Sequence, residues 1–230
     1  PYWTVFAIVL VLSFFMGVFV ERVVIRLVNG RSEFAFIAVS IGLLIVFNSL
    51  SSWFGGTEVR AFPSPFPPQL ANQWFSAHEM GSIITTALIL VALLVFFRFT
   101  SFGLAMRAAA QNPASSRYIG IRVDRMLTTG WGLAAAIGAV GGMMIAPMVF
   151  LEPNMMGGVL VYAFAGALLG GIDNPWTAVV GGFAIGMFEN VVGVYVTGPE
   201  LKLTAALIVI VGILMMRPSG LFSRAFIVRV

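Results

Sequence analysis

Gly81 to Phe97 reads Gly-Ser-Ile-Ile-Thr-Thr-Ala-Leu-Ile-Leu-Val-Ala-Leu-Leu-Val-Phe-Phe, and no charge interrupts it until Arg98 closes the run. A stretch of this kind fits the ~30 Å hydrocarbon core of a bilayer, which about 20 apolar residues cross as a helix. A transmembrane barrel needs strands of about ten residues with alternating polarity. This run is continuously apolar and close to twice that length, so it reads as a membrane helix.

Further apolar runs lie on either side, with charges marking their ends. Tyr2 to Val20 and Phe34 to about Phe54 precede it; Arg125 to Glu152 encloses the next. Three more follow: roughly Gly157 to Ile172, Trp176 to Val196 (interrupted by Glu189) and Pro199 to Met216, where Lys202 can snorkel to the surface. The expected fold is all-α, a polytopic transmembrane bundle of about seven spans forming one domain over residues 1–230. Composition agrees. Hydrophobic residues make up 60% of the chain and charged residues 10%, against about a quarter charged in soluble domains. Residue 1 is Pro and the chain enters an apolar run at once. With no basic segment or cleavage site ahead, this is not a signal peptide, and it reads as the truncated start of a longer protein.

Sidedness follows from the basic residues. Arg22, Arg26 and Arg31 flank the first connection; Arg98, Arg107, Arg117, Arg122 and Arg125 fill the third; Arg217, Arg224 and Arg229 lie in the tail. With seven spans these regions share one side and hold 11 of the 13 basic residues, which makes that side cytoplasmic. The net charge of +4 therefore records membrane orientation and does not point to nucleic acid. Residues 55–80 become an external loop, stiffened by Phe62-Pro63-Ser64-Pro65-Phe66-Pro67-Pro68 and bracketed by Trp53 and Trp74.

Chemistry-bearing residues are few. The absence of cysteine excludes disulfides and thiolate metal sites, and the lone His78 cannot build a multi-histidine site. His78 beside Glu79 reads as an exposed external pair. Met143, Met144, Met148, Met155 and Met156 read as adaptable packing. Glu189 is the one charge well inside a run, about 13 residues beyond Trp176 and hence ~20 Å along a helix. Intramembrane acids are costly and default to functional hypotheses. Glu189 is either a polar contact in a path through the membrane or at an interface with another membrane subunit, or a buried acid partnered by Asn190 or another helix. Gly138/Gly142, Gly166/Gly170 and Gly182/Gly186 are each four apart, so each pair shares a helix face suited to close packing; the functional alternative is that these helices line or move around a path.

Residues 98–125 carry the most information. Ala105 to Gln111 favours a short helix. Asn112-Pro113 is a break and also a cap and first position for a second helix, which runs to about Ile119 and ends at Gly120. Asp124 is placed to cap the next span. Two short helices of small residues, flanked by arginines, thus lie at the membrane surface. They suit either a basic connector on anionic lipid or insertion into another protein's groove.

Gly103 to Gly120, followed by Ile121, Val123, Asp124 and Arg125, resembles the cytoplasmic signature of ABC permeases for branched-chain amino acids, the LivH/LivM type. Val20-Glu21-Arg22-Val23 resembles that family's first cytoplasmic turn. Ala163-Phe164-Ala165-Gly166-Ala167-Leu168-Leu169-Gly170-Gly171-Ile172 resembles its glycine-rich helix, continuing into Pro175, Gly181-Gly182 and Glu189. Arg217-Pro218-Ser219-Gly220-Leu221-Phe222 resembles its ending, and order and spacing are nearer LivH than LivM. The Asp173-Asn174 turn is more polar than the resemblance leads one to expect, and the family's N-terminal helices are not in this sequence.

The resemblance implies a permease subunit, not an enzyme, in an inner membrane with a cytoplasmic C-terminus. It binds no cofactor, and no G-x-x-x-x-G-K-[ST] loop is present to bind ATP. Implied partners are a second permease subunit, two cytoplasmic ATPase subunits that use the ATP, and a periplasmic binding protein that delivers a branched-chain amino acid. Gly103, Ala105, Met106, Arg107, Ala108, Ala109, Gln111, Asn112 and Gly120 become the ATPase-coupling candidates. Gly166, Gly170, Gly171, Gly181, Gly182, Gly186 and Glu189 become the path or packing candidates. Related permeases carry urea, short amides or sugars. The competing class is a proton-coupled secondary transporter working through Glu189.

Overall fold

The computed structural model describes residues 2–28, 30, 32–67, 69, 71, 75–171 and 175–198, with scattered positions between 201 and 215. Outside the described residues lie Arg31, Trp74, the Asp173-Asn174 turn, most of the expected span from Pro199 to Met216, and the Arg217–Phe222 ending. The chain divides into two compact units, Pro1–Met155 and Met156–Val230.

The described chain is all-α apart from one isolated bridge. In the first unit, α1 (Tyr2–Val20) runs into a π-helical turn (Glu21–Ile25) and then α2 (Arg26–Val28). Glu21–Val23, expected as a turn, is therefore a continuation of the helix. The unit continues with α3 (Glu33–Gly55), α4 (Ala77–Phe99), α5 (Ser101–Gln111), α6 (Pro113–Tyr118) and α7 (Val123–Val149). The second unit holds α8 (Met156–Gly170), α9 (Pro175–Val192) and a π-helical turn at Gly193–Thr197.

Among the described residues, five stretches are long and apolar enough to cross a membrane: Tyr2–Val28, Phe34–Gly55, Ala77–Phe99, Val123–Val149 and Pro175–Tyr195. Seven were expected from the sequence. Of the other two, one falls mostly outside the described residues. The other, α8, has 15 residues, about 22 Å at a rise of 1.5 Å, short of a ~30 Å core. It is bounded ahead by a turn at Glu152–Met155 and behind by Gly171, whose φ is +95°. Apolar side chains project outward along these helices, among them Leu12, Phe15 and Phe19 on α1 and Leu88 on α4, as expected where lipid is the solvent.

α1 and α7 form the closest pairing of the first unit. A Cβ at Gly17 would lie 2.6 Å from the Trp131 carbonyl oxygen, 2.7 Å from Ala135 Cβ and 3.0 Å from Gly132 Cα. Gly132 in turn faces the Phe14 ring. Small residues thus bring two backbones together, as membrane helices require, but at Gly17/Gly132; Gly138, half of an expected glycine face, meets open space.

At one end of this pair, Glu21 and Thr128 are both buried and their side chains meet at 2.6 Å. At the other end, His78 is part-buried and not an exposed partner of Glu79. Its Nε2 donates to the Met144 carbonyl of α7 at 2.6 Å, so Nδ1 accepts from Ser64 Oγ at 3.0 Å, which itself accepts from Phe66 N–H at 3.3 Å. Pro147 in the same turn of α7 cannot donate to the helix ladder. Glu79 instead closes a capping box with Ser76 at the start of α4. The proline-rich loop is held down by its two phenylalanines: Phe66 lies over Gly81 and near Trp3, and Phe62 near Tyr2. Arg60 and Leu151 exchange backbone hydrogen bonds at the same end.

Candidate functional site

The connection between α4 and α7 is two short helices with defined corners. Thr100 caps α5 by accepting from Gly103 N–H at 2.9 Å. Gly103 sits against the Phe96 carbonyl and 2.7 Å, measured from its missing Cβ, from Phe97 Cα, so the sharp α4–α5 corner leaves no room for a side chain there. Asn112 Oδ1 accepts from Ser115 N–H at 3.0 Å and Pro113 opens α6, the expected cap and break. α6 ends one residue short of the expected Ile119, and Gly120 follows with φ +85°.

The coupling candidates divide by exposure. Gly103 and Ala109 are buried against the chain itself, and Ser116 of α6 is buried too. Ala105, Met106 and Ala108 are half-buried, with the Met106 methyl facing Gly130 of α7. Arg107, Gln111, Asn112 and Gly120 are exposed. Leu104, Tyr118 and Ile119 were not singled out from sequence, yet Tyr118 is 92% and Ile119 75% exposed. An exposed tyrosine–isoleucine tip on a corner fixed by caps is a surface suited to a protein groove.

Beside this loop, the start of α7 meets the π-helical turn after α1. The Arg122 side chain makes no cap, and Asp124, expected as the cap, holds Arg26 at 3.2 Å and Arg117 at 3.5 Å. Thr128 Oγ1 lies 2.8 Å from the Asp124 carbonyl as well as 2.6 Å from Glu21 Oε2, so its single hydroxyl hydrogen faces two acceptors. π-helical turns interrupt the i to i−4 ladder and recur at functional sites; this one turns Glu21 into the α1–α7 seam. These contacts bring the first and third connections together at one end of α1 and α7, in line with their shared arginine content.

The second unit contains the glycine seam. A Cβ at Gly166 would lie 2.6 Å from Gly182 Cα; one at Gly170 would strike the Thr177 carbonyl; one at Gly181 would strike the Gly166 carbonyl and lie 2.5 Å from Gly170 N. A Cβ at Gly182 or Gly186 would meet nothing within 4 Å. The buried positions of α9 are Gly181 and Ile185; of the expected Gly182/Gly186 pair, Gly182 meets α8 through its backbone at Gly166, while a side chain at either would point into open space. Gly171 terminates α8 in a left-handed conformation. Glu189 is half-buried, and its carboxyl lies near enough to the Tyr162 hydroxyl of α8 for the two to interact. Sequence offered no signal for Tyr162, because it lies 27 residues away and only the α8–α9 pairing brings it near. Among the described residues no group of three or more His, Asp or Glu side chains could hold a metal.

This architecture defines an integral membrane protein of the polytopic helical class, with a structured two-helix connection between two spans. Residues 1–216 match the family described as branched-chain amino acid transport system / permease component, and the chain belongs to that family. It is similar to the high-affinity branched-chain amino acid transport system permease protein LivH of Salmonella typhimurium, with 28% identity covering 89% of this chain and 69% of the relative. The permease protein BraD of the corresponding Pseudomonas aeruginosa system is 24% identical, covering 95% of this chain and 74% of the relative. The autoinducer 2 import system permease protein LsrC of Yersinia enterocolitica is 28% identical over 52% of this chain and 33% of its own length. No solved structure matches.

Proposed function

We propose that this chain is the membrane-spanning permease subunit of an ATP-driven importer for branched-chain amino acids. The observation that carries the reading is the family match across residues 1–216, which includes the two-helix connection between α4 and α7. In this reading, residues 98–125 form a cytoplasmic coupling loop whose exposed Arg107, Gln111, Tyr118 and Ile119 meet an ATPase subunit, while Gly103 and Ala109 shape it from within. Residues 55–80 form the external loop. α8, as a short span, and a further span across residues 199–216 bring the total to seven within one permease domain. The C-terminus is then cytoplasmic.

The partners are a second permease subunit, two ATPase subunits and a periplasmic binding protein. The α8–α9 seam packs beside the path, and Glu189 with Tyr162 supplies a polar contact within the membrane. The similarity to LsrC supports a second reading of the cargo alone, in which the same machinery moves a small polar solute. The test is reconstitution of the full transporter in vesicles with the ATPase, ATP and the loaded binding protein. Leucine, isoleucine or valine uptake that needs all three is expected. Uptake by this chain alone, driven by a proton gradient, would overturn the importer reading, and the ligand recovered on the cognate binding protein decides the cargo.

A further inference from the structure

Five guanidinium groups gather at the junction of the π-helical turn with the α6–α7 corner. Arg22, Arg26, Arg117, Arg122 and Arg125 line a cavity of about 560 Å³ together with a single carboxylate, Asp124. Asp124 is divided between Arg26 and Arg117. Among the described residues Arg22, Arg122 and Arg125 have no carboxylate within ion-pair distance. Glu21, the nearest other acid in sequence, is turned away, buried in the α1–α7 seam on Thr128. Thr128 and Ile121 also line the cavity, beneath guanidiniums that are themselves exposed.

A surface that merely followed membrane sidedness would spread its arginines so that each is solvated alone. Here they come from three separate stretches (22–26, 117 and 122–125) and converge on one concavity. Their mutual repulsion is relieved by an anion with several acceptor oxygens, and the planar guanidinium fork matches phosphate geometry in particular. The cavity also opens at the first turn of α7, where helix N–H groups and the positive dipole end favour negative charge.

We infer that this cavity is a phosphate-binding site. It takes either the phosphodiester headgroup of an anionic phospholipid or the phosphate of a cytoplasmic solute. The site lies where a first-turn membrane helix meets the interface, so both sources reach it. Occupation ties the end of α1 to α6 and α7 through the ligand, in place of the exposed and individually weak Asp124 pairs.

The experiment uses the purified full chain in a neutral detergent. Native mass spectrometry counts retained phosphatidylglycerol against phosphatidylcholine. A thermal-melt series with inorganic phosphate against chloride, at matched ionic strength, reads the solute arm. Selective retention of phosphatidylglycerol identifies the lipid headgroup; stabilisation by inorganic phosphate without lipid preference identifies a solute. Replacing Arg22, Arg122 and Arg125 together by Gln is expected to weaken binding on the order of a hundredfold, at roughly fivefold for each arginine. Asp124→Asn is expected to strengthen it, because two guanidiniums lose their competitor. Opposite signs separate loss of the site from loss of the fold. The inference is overturned if neither ligand binds selectively, or if Asp124→Asn and the triple variant both leave binding unchanged or both weaken it.

Discussion

Gly181→Ala asks whether α8 and α9 are held by backbone contact. The new Cβ would strike the Gly166 carbonyl and sit 2.5 Å from Gly170 N and 2.8 Å from Gly170 Cα. Carbon contacts are favourable at about 3.5–4.0 Å, so the helices must part by nearly an ångström. Every obstacle is backbone, and no side chain can swing aside. Overpacking of this kind costs ~1–3 kcal/mol. Gly182→Ala is the matched control one residue away. A Cβ there meets nothing within 4 Å, and alanine is favoured over glycine inside a helix by roughly 0.5–1 kcal/mol. Both alanines gain that propensity, so the two variants should differ by the overpacking cost, about 1–3 kcal/mol, with Gly181→Ala melting below the parent and Gly182→Ala at or above it. Thermal unfolding of the purified chain, followed by loss of the monodisperse size-exclusion peak, reads this directly. If Gly182→Ala melts with or below Gly181→Ala, the seam does not run through Gly181 and the described pairing of α8 with α9 is wrong.

Four further outcomes are expected. His78→Ala removes the ring's bond to the buried Met144 carbonyl, at about 1 kcal/mol, and leaves the exposed Ser64 hydroxyl to water; limited proteolysis within residues 61–67 should accelerate, and unchanged protection would count against the ring as the clamp. Ala109→Trp should lower the yield of folded protein, because Ala109 is 2% exposed. Tyr118→Ser and Ile119→Ser should melt within about 0.5 kcal/mol of the parent yet co-purify less ATPase; full co-purification with both would remove the tip from the docking surface. Glu189→Gln should leave uptake dependent on ATP, with no proton-driven uptake in either protein; a proton-driven component lost only in the variant would move Glu189 into proton coupling.

Local features were legible in the sequence because local physics sets them. Asn112-Pro113 and Gly120 punctuate α5 and α6 through capping and left-handed backbone, which need no distant partner. The long apolar runs became α1, α3, α4, α7 and α9 for the same reason. What was missed depends on pairing. The four-residue spacing picked out Gly182/Gly186, but spacing fixes only that two residues share a face, not which face meets a neighbour; Gly181 and Ile185 are on the buried side. Gly17 stands alone in its run, so its role against Gly132 had no periodic signal. Glu21 was placed only within a cytoplasmic turn with Arg22, and the π-helical turn directs it to Thr128, 107 residues away. His78 and Glu79 are sequence neighbours that point to different partners, one to α7 and one to its own helix cap.

The contacts of the first unit are concentrated at the two ends of α7. At its start, the buried Ser116 and the Arg117–Asp124 pair tie it to α6, while Thr128 ties it to Glu21. At its end, Met144 receives His78 and Leu151 pairs with Arg60 just beyond the helix. Between them run 27 helical residues, about 40 Å at the standard rise, with the α1 backbone pressed against the middle through Gly17. An interior packed by backbone contact deforms poorly and transmits strain. On the proposed function, force from an ATPase enters at α5–α6. The loop cannot absorb it at its corners, since Gly103 leaves no slack and Asn112 and Thr100 hold both caps. The displacement must then pass into α7 and α1 as one body. It reaches the proline-rich loop through His78 on the Met144 carbonyl, through the Arg60–Leu151 backbone pair, and through Phe62 and Phe66 against Tyr2 and Trp3 of α1.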